Sequence, residues 1–358
     1  MNIDRNIKIG IIGAGRVAQH YKKLINSGEI KSFEIVGVCD ISKEKREDLA
    51  YNWGCRNFED LSEMINEVKP DLVLILTPSG FHYEHAKMAL KLGCHVLVEK
   101  PITLLPFEAR ELIEIAQLNR LMLGVAFQNR LNPAVRCLKN AIDNGRFGKI
   151  TTATVRLRWC RYQNYYDDGW HGTWAQDGGV INQQAIHHVD ALNWLIGPVE
   201  SVCAVKTKIL NSLEAEDTLV AIIRFCNGAL GTIEATTAAR PIDIEASLSV
   251  VGEGGIASVG GIALNKVEDW IFVNELKDDK SVKEKFSPEV PNGYGLSHVS
   301  LLNETLKNLS QGSIIPPVPA ADCIKTCELI HALYASTESN SWINLRDKPI
   351  SNYLGCKK

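Results

Sequence analysis

No apolar run in the 358-residue chain reaches the length that crosses a bilayer, so a membrane-spanning helix is not expected and no membrane partner is implied. Charge of one sign is also missing. Lys and Arg number 39 against 42 Asp and Glu, and the net charge of -3 argues against phosphate-backbone binding, so nucleic acid is not an expected partner. The ten cysteines are scattered singly. With no paired motif and no signal peptide, they read as reduced thiols in a cytoplasmic protein. His82 and His85 stand at i, i+3 and His187 and His188 are adjacent, yet no Glu or Cys cluster completes a ligand set, so no metal is expected. Repeats, low-complexity tracts and charged tails are absent as well. A chain of this length is expected to hold about two domains.

What is there begins at Ile7. Ile7 to Ile12 is a short apolar strand that runs into Gly13-Ala14-Gly15-Arg16-Val17-Ala18 and then a helix, with Val17, Tyr21 and Leu24 on one face and Gly28 as its stop. A second apolar strand, Phe33 to Cys39, ends in Asp40. Gly13 permits a tight turn, Gly15 lets the backbone approach a pyrophosphate, and small Ala18 lets the helix pack on the strand. The N-H groups at the helix start then face the phosphates. Asp40, 25 positions after Gly15, can accept from both hydroxyls of an adenosine ribose and repels a 2'-phosphate. The cofactor expected is therefore NAD.

Strand and helix alternate to about Gln128, with strands at residues 71–76, 94–98 and 121–126 and helices at 80–92 and 106–118. That alternation predicts a Rossmann-type, doubly wound parallel sheet. A helix over 132–144, capped by Asn132, opens a second region of period-two strands at 150–160, 199–209, 219–225, 229–237 and 244–251, with an Asn227-Gly228 hairpin. The expected fold class is α/β: an NAD-binding domain over 1–128, then a sheet domain for substrate and oligomer contacts over 129–319 with an open-faced, mostly antiparallel sheet. Two helices close the chain, at residues 298–309 and about 320–338. The latter follows the proline-rich segment 314–319 and is expected to pack back on the first domain.

Ligands of a doubly wound sheet sit at the carboxyl ends of the strands. Thr77, Pro78 and His82 after one strand, Glu99 and Lys100 after the next, and Gln128 after the third are accordingly read as cofactor-lining, with Gly13, Gly15, Arg16, Val17 and Asp40 completing the set. Lys100 can give a proton to a substrate hydroxyl or take one from it, and Glu99 can orient it or touch a ribose. Pro101 admits a cis bond before it. Downstream, Trp170-His171-Gly172-Thr173-Trp174 and Gly178-Gly179 lead into a helix over 180–195. His187 on that helix is a candidate acid or base, Asp190 a candidate orienting partner, and His188 is read as structural.

The motifs Gly13-Ala14-Gly15, Thr77-Pro78, Glu99-Lys100-Pro101 and Gly178-Gly179 with Ile186-His187-His188-Val189-Asp190 resemble those of the glucose-fructose oxidoreductase and inositol dehydrogenase (Gfo/Idh/MocA) family. The resemblance implies catalysis by Lys100 and His187 and a homodimer or homotetramer built through the open sheet face. Arg161 to Trp174, with Tyr165-Tyr166, and Asn182-Gln183-Gln184 resemble the branch that oxidises C3 of UDP-N-acetyl-2-amino-2-deoxy-D-glucuronate to the 3-keto sugar for O-antigen synthesis. That likeness implies a nucleotide-sugar substrate bound by Lys100, Trp170, Thr173, Gln183 and His187, with Gln183 standing where many members carry Asp. The alternatives are a dehydrogenase of a free sugar or inositol and a non-catalytic NAD-binding sensor.

Overall fold

A computed structural model describes residues 6–356. The chain divides into two compact units, one running to Phe127 and including His298–Ile324, the other comprising Gln128–Ser297 and the chain from Lys325 on.

In the first unit, β1 (Ile7–Ile12), β2 (Phe33–Cys39), β3 (Arg56–Phe58), β4 (Leu72–Ile75), β5 (His95–Val98) and β6 (Leu123–Val125) form a parallel sheet ordered β3-β2-β1-β4-β5-β6. The helices α1 (Arg16–Asn26), α2 (Lys43–Trp53), α3 (Leu61–Val68), α4 (His82–Lys91) and α5 (Pro106–Leu118) make the crossovers. The order reverses between β1 and β4, the point at which such sheets open a ligand crevice. β4 reads as a continuous apolar run, and β1 does so apart from exposed Lys8, because helices cover both faces of the sheet. The segment 41–70, left without elements in the sequence reading, holds α2, β3 and α3. In α2 the only buried side chains are Leu49 and Ala50, too few for a helical stripe to show.

In the second unit α6 (Pro133–Asp143) is capped by the Asn132 side chain, as its sequence indicates. The sheet consists of β7 (Ile150–Arg158), β8 (Val199–Thr207), β9 (Thr218–Phe225), β10 (Leu230–Thr236), β11 (Glu245–Gly252), β12 (Gly255–Gly260), β13 (Lys266–Phe272) and β14 (Ile343–Asn344). Their order is β13-β12-β11-β7-β10-β9-β8-β14, antiparallel except where β7 meets β10. β9 shows why one face stays open: Leu219, Ala221, Ile223 and Phe225 are buried, while Val220 and Ile222 are exposed. The β12–β13 pair was not distinguished in the sequence, where glycines at both ends of β12 interrupt the apolar pattern.

The helix read over 180–195 is two: α7 (Val180–Gln183) and α8 (Ile186–Ile196). At the break Ala185 N-H reaches back five residues to Val180 O at 2.8 Å, the wide turn of a π-bulge. Three elements follow: α9 (Asp279–Lys285), α10 (Ser297–Ser310) and α11 (Ala320–Ser339). The last helix, expected to rejoin the first domain, is divided between the units. The connector belongs to the first unit, with Val125 N-H donating to Val318 O at 3.1 Å and covering the β6 edge, and α11 continues in that unit through Ile324. Beyond that its polar side chains are used in the second unit: Thr326 donates to Asp190, Tyr334 to Glu216, and Ser336 receives the Ala204 N-H.

Candidate active site

The candidate cofactor residues of the first unit begin at the turn between β1 and α1. Gly13 has φ +94, and a Cβ there would lie 2.6 Å from the Leu76 carbonyl carbon, so the backbone itself demands glycine. Gly15 differs. It caps α1 without a side-chain hydrogen bond, and a Cβ added to it meets nothing within 4 Å. The space above it is what a pyrophosphate at the helix N-terminus requires. Arg16 is exposed at the first position of α1, with Val17 half-buried beside it. Asp40 follows β2 directly; its Oδ2 accepts from Ala14 N-H at 2.7 Å and its Oδ1 from Ser42 N-H at 2.8 Å. A carboxylate has about four acceptor positions, so ribose hydroxyls still have places on it. Gln128 is buried with its Oε1 lacking a protein donor, an acceptor suited to a ligand N-H or hydroxyl. Gly15 and Asp40 fit NAD: the first would take its phosphates and the second a ribose.

At the ends of β4 and β5 the loops are bound to each other. His82, expected beside the nicotinamide, is instead turned inward: it is 1% exposed, with Nδ1 at 2.6 Å from Pro101 O and Nε2 at 2.9 Å from Thr77 O. Burial lowers its pKa against the pull of those two carbonyls. It therefore braces the two loops, and the Lys100-Pro101 bond that it holds is cis. Thr77 Oγ1 is paired with His85 Nδ1 at 3.1 Å, and Pro78 is half-buried. Glu99 is also turned inward. Its Oε1 accepts from Tyr21 OH at 2.8 Å and lies 3.7 Å from His298 Nε2, while Oε2 accepts from Lys100 N-H at 3.3 Å. Burial raises the Glu99 pKa, but His298, Lys100 and Tyr21 together outweigh it and hold the carboxyl below its usual range. Its bond to Lys100 is made to the backbone N-H.

The second unit carries its own candidate residues. Between Ile186 and Asn193 every residue except His187 is buried, so the helix presents that imidazole and hides His188. Burial lowers the His188 pKa to about 4, keeping it neutral. Asp190 is not the partner of His187 that its i+3 spacing suggested. It receives Arg130 Nε and Nη2, both at 2.7 Å, and Thr326 Oγ1 at 2.7 Å. The π-bulge at Ala185 shifts Gln184 out of register with His187, while His187 and Asp190 share the regular helix α8, where Arg130 and Thr326 take up the Asp190 carboxylate.

Trp170 lies against His171 with centroids 3.7 Å apart and ring planes tilted by 34°, and Thr173 Oγ1 donates to Trp170 O at 2.7 Å. Thr173 also lines an open hollow of about 490 Å³ with Tyr166, His171, Trp174, Lys208 and Glu214. Gln183 Nε2 donates to buried Asp177 Oδ1 at 2.5 Å. Two carboxylates were missed in the sequence. Asp177 is one, and Glu216 is the other, accepting from Ile181 N-H at 3.2 Å and Tyr334 OH at 3.1 Å beneath the start of α7. Neither carries a spacing signal, since both act on residues that the fold brings to them. Among the described residues no three His, Cys, Asp or Glu side chains gather as a metal site, and no helix is long and apolar enough to cross a membrane.

A glycine turn opening a helix, an acid after the second strand and a lysine after the fifth define a dinucleotide-dependent oxidoreductase. Residues 7–127 match the family described as "Oxidoreductase family, NAD-binding Rossmann fold", and residues 135–258 match the GFO/IDH/MocA C-terminal domain. The chain belongs to the Gfo/Idh/MocA family and is an NAD-dependent sugar dehydrogenase. It is 32% identical to D-glucoside 3-dehydrogenase of Escherichia coli, over 65% of this chain and 70% of that protein. Two solved structures are similar along nearly the whole chain. The WlbA dehydrogenase from Bordetella pertussis, in complex with NADH and UDP-GlcNAcA, is 33% identical with TM-score 0.89, covering 95% of this chain and 98% of that one. WlbA from Chromobacterium violaceum, with the same ligands, is 32% identical with TM-score 0.88, covering 95% and 96%.

Proposed function

We propose that the protein oxidises the C3 hydroxyl of a UDP-N-acetylamino-glucuronate to the 3-keto sugar, supplying O-antigen polysaccharide synthesis. The observation that carries this reading is the likeness, at 32% and 33% identity over 95% of the chain, to two dehydrogenases whose structures hold NADH with UDP-GlcNAcA. NAD, when bound, supplies the hydride acceptor. His187 takes the hydroxyl proton, as a neutral imidazole does well near neutral pH. Lys100 stabilises the developing oxyanion with its ammonium and relays the proton. Glu99 fixes the Lys100 backbone, while Trp170, Thr173 and Gln183 hold the sugar. The exposed apolar rows of the open sheet face, Val220 and Ile222 among them, support a homo-oligomer formed there.

A second reading, oxidation of a free sugar, is favoured by the D-glucoside relative, which is also named for the 3-position. Incubation with NAD and either UDP-GlcNAcA or a free D-glucoside separates the two. The expected result is reduced cofactor and a product lighter by a pair of hydrogens with the UDP-sugar. Turnover of the glucoside and none of the UDP-sugar overturns the nucleotide-sugar assignment.

A further inference from the structure

Asp177 lies between two segments that the sugar-binding reading uses. It is 1% exposed, and two N-H groups converge on its carboxylate: Gly172 N-H on Oδ2 at 2.8 Å and Gln183 Nε2 on Oδ1 at 2.5 Å. Its backbone is tied to the same two segments, since its N-H donates to Thr173 O at 3.0 Å and its carbonyl accepts from Asn182 Nδ2 at 2.6 Å. One residue thus holds the Trp170–Thr173 stretch in register with the first turn of α7.

A carboxylate accepts hydrogen bonds and donates none, whereas the end of a glutamine side chain does both. The Asp177 carboxylate therefore decides which end of the Gln183 amide faces it. The NH2 end is drawn in, and the carbonyl Oε1 is turned the other way. We propose that Asp177 is a positioning residue that sets the polarity of Gln183, so that Gln183 meets the sugar as an acceptor and selects a hydroxyl or N-H donor there. The inference rests on Gln183 being a sugar-binding residue, as the proposed function has it.

The chemistry of the pair supplies the test. In Asp177→Asn a single acceptor oxygen faces two donors, so either Gly172 N-H or the Gln183 amide loses its partner. The KM for the sugar then rises about tenfold or more, with NAD affinity unchanged. Gln183→Glu, which keeps the length of the side chain, places two carboxylates within hydrogen-bond distance. They cannot both stay ionised, so the activity of this variant improves toward acid pH relative to wild type. Combining the two substitutions restores the pairing with reversed polarity: the amide introduced at position 177 donates to the carboxylate introduced at position 183 and accepts from Gly172 N-H.

The expected result is a double variant with a lower KM than either single variant and a pH profile returned to that of wild type. A residue that merely filled space would give additive losses and no rescue. An Asp177→Asn KM within about twofold of wild type, or a double variant no better than the worse single one, overturns the proposal. Should Asp177→Asn fail to fold, the comparison of Gln183→Glu with the double variant decides in its place. The series is run on UDP-GlcNAcA and on D-glucoside and scored on the sugar that wild type oxidises. A failed substrate assignment thereby shows in wild type, and a failed positioning role shows only in the variants.

Discussion

Arg130 and Asp190 meet through two parallel N-H···O contacts of 2.7 Å inside the second unit, with Thr326 adding a third bond to the same carboxylate. Both side chains are nearly inaccessible, at 7% and 1%. Removing one partner strands a buried charge, so Arg130→Met is expected to cost about 3–5 kcal/mol. Chemical denaturation with and without NAD checks this. A change below about 1 kcal/mol would show that the pair is not the anchor of α8.

Gly13 and Gly15 differ in what they are for, and substitution separates them. Gly13→Ala forces a Cβ onto the Leu76 backbone at a positive φ and is expected to destabilise the first unit by about 2 kcal/mol or more. Gly15→Ala meets no protein atom and is expected to leave the melting temperature unchanged while weakening NAD at least about tenfold, because the methyl occupies the phosphate space. Melting curves paired with cofactor titrations distinguish the two. Equal NAD affinity in Gly15→Ala would count against the cradle.

Asp40→Ala is expected to weaken NAD about tenfold or more and to narrow the preference over NADP, since a charge-assisted acceptor for ribose and the repulsion of a 2'-phosphate go together. The substitution also frees Ala14 N-H. Titration with both cofactors measures the ratio. An unchanged preference would refute the assigned discrimination.

Lys100→Ala and His187→Asn are each expected to retain NAD binding and lose at least about a hundredfold in kcat, the usual scale for removing a proton-transfer or oxyanion-stabilising group. Steady-state rates beside cofactor titrations test this. Full turnover in both variants would end the assigned roles.

Glu216 is buried, which raises its pKa to about 7, and its Oε2 has no partner. The folded state therefore holds the proton more tightly than the unfolded chain. Its contribution to stability is complete below the unfolded carboxyl pKa and is lost as pH rises through about 7. Glu216→Gln keeps an acceptor for Ile181 N-H and Tyr334 OH without the charge. It is expected to melt higher than wild type at pH about 8, with the difference vanishing by pH about 4. A constant difference across that range would show that Glu216 does not titrate there.

The cofactor half of the protein was legible in the chain because it is local. Gly13, Gly15 and Asp40 follow consecutive strands, and the Asn132 cap and the Asn227-Gly228 hairpin act over a few residues. Period and turn chemistry determine such features before any long-range contact forms. Lys100 and His187 stood out by their places after a strand and on a helix, and the resemblance to a family then implied catalysis by both.

Only the tertiary structure decided which way the polar side chains face. His82 and Glu99 stand where a cofactor contact would be expected, yet both turn inward, because Pro101, Thr77, Tyr21 and His298 supply partners that no sequence interval announces. Asp190 is claimed by Arg130, 60 residues away, and Gln183 by Asp177 through a folded loop. A buried polar group must find its partner wherever the packed chain brings one, since leaving it unpaired costs more than any local preference supplies. The sequence by itself determined most of the strands, the tight turns and the glycine turn that opens α1; the pairing of buried charges and amides had to wait for the fold.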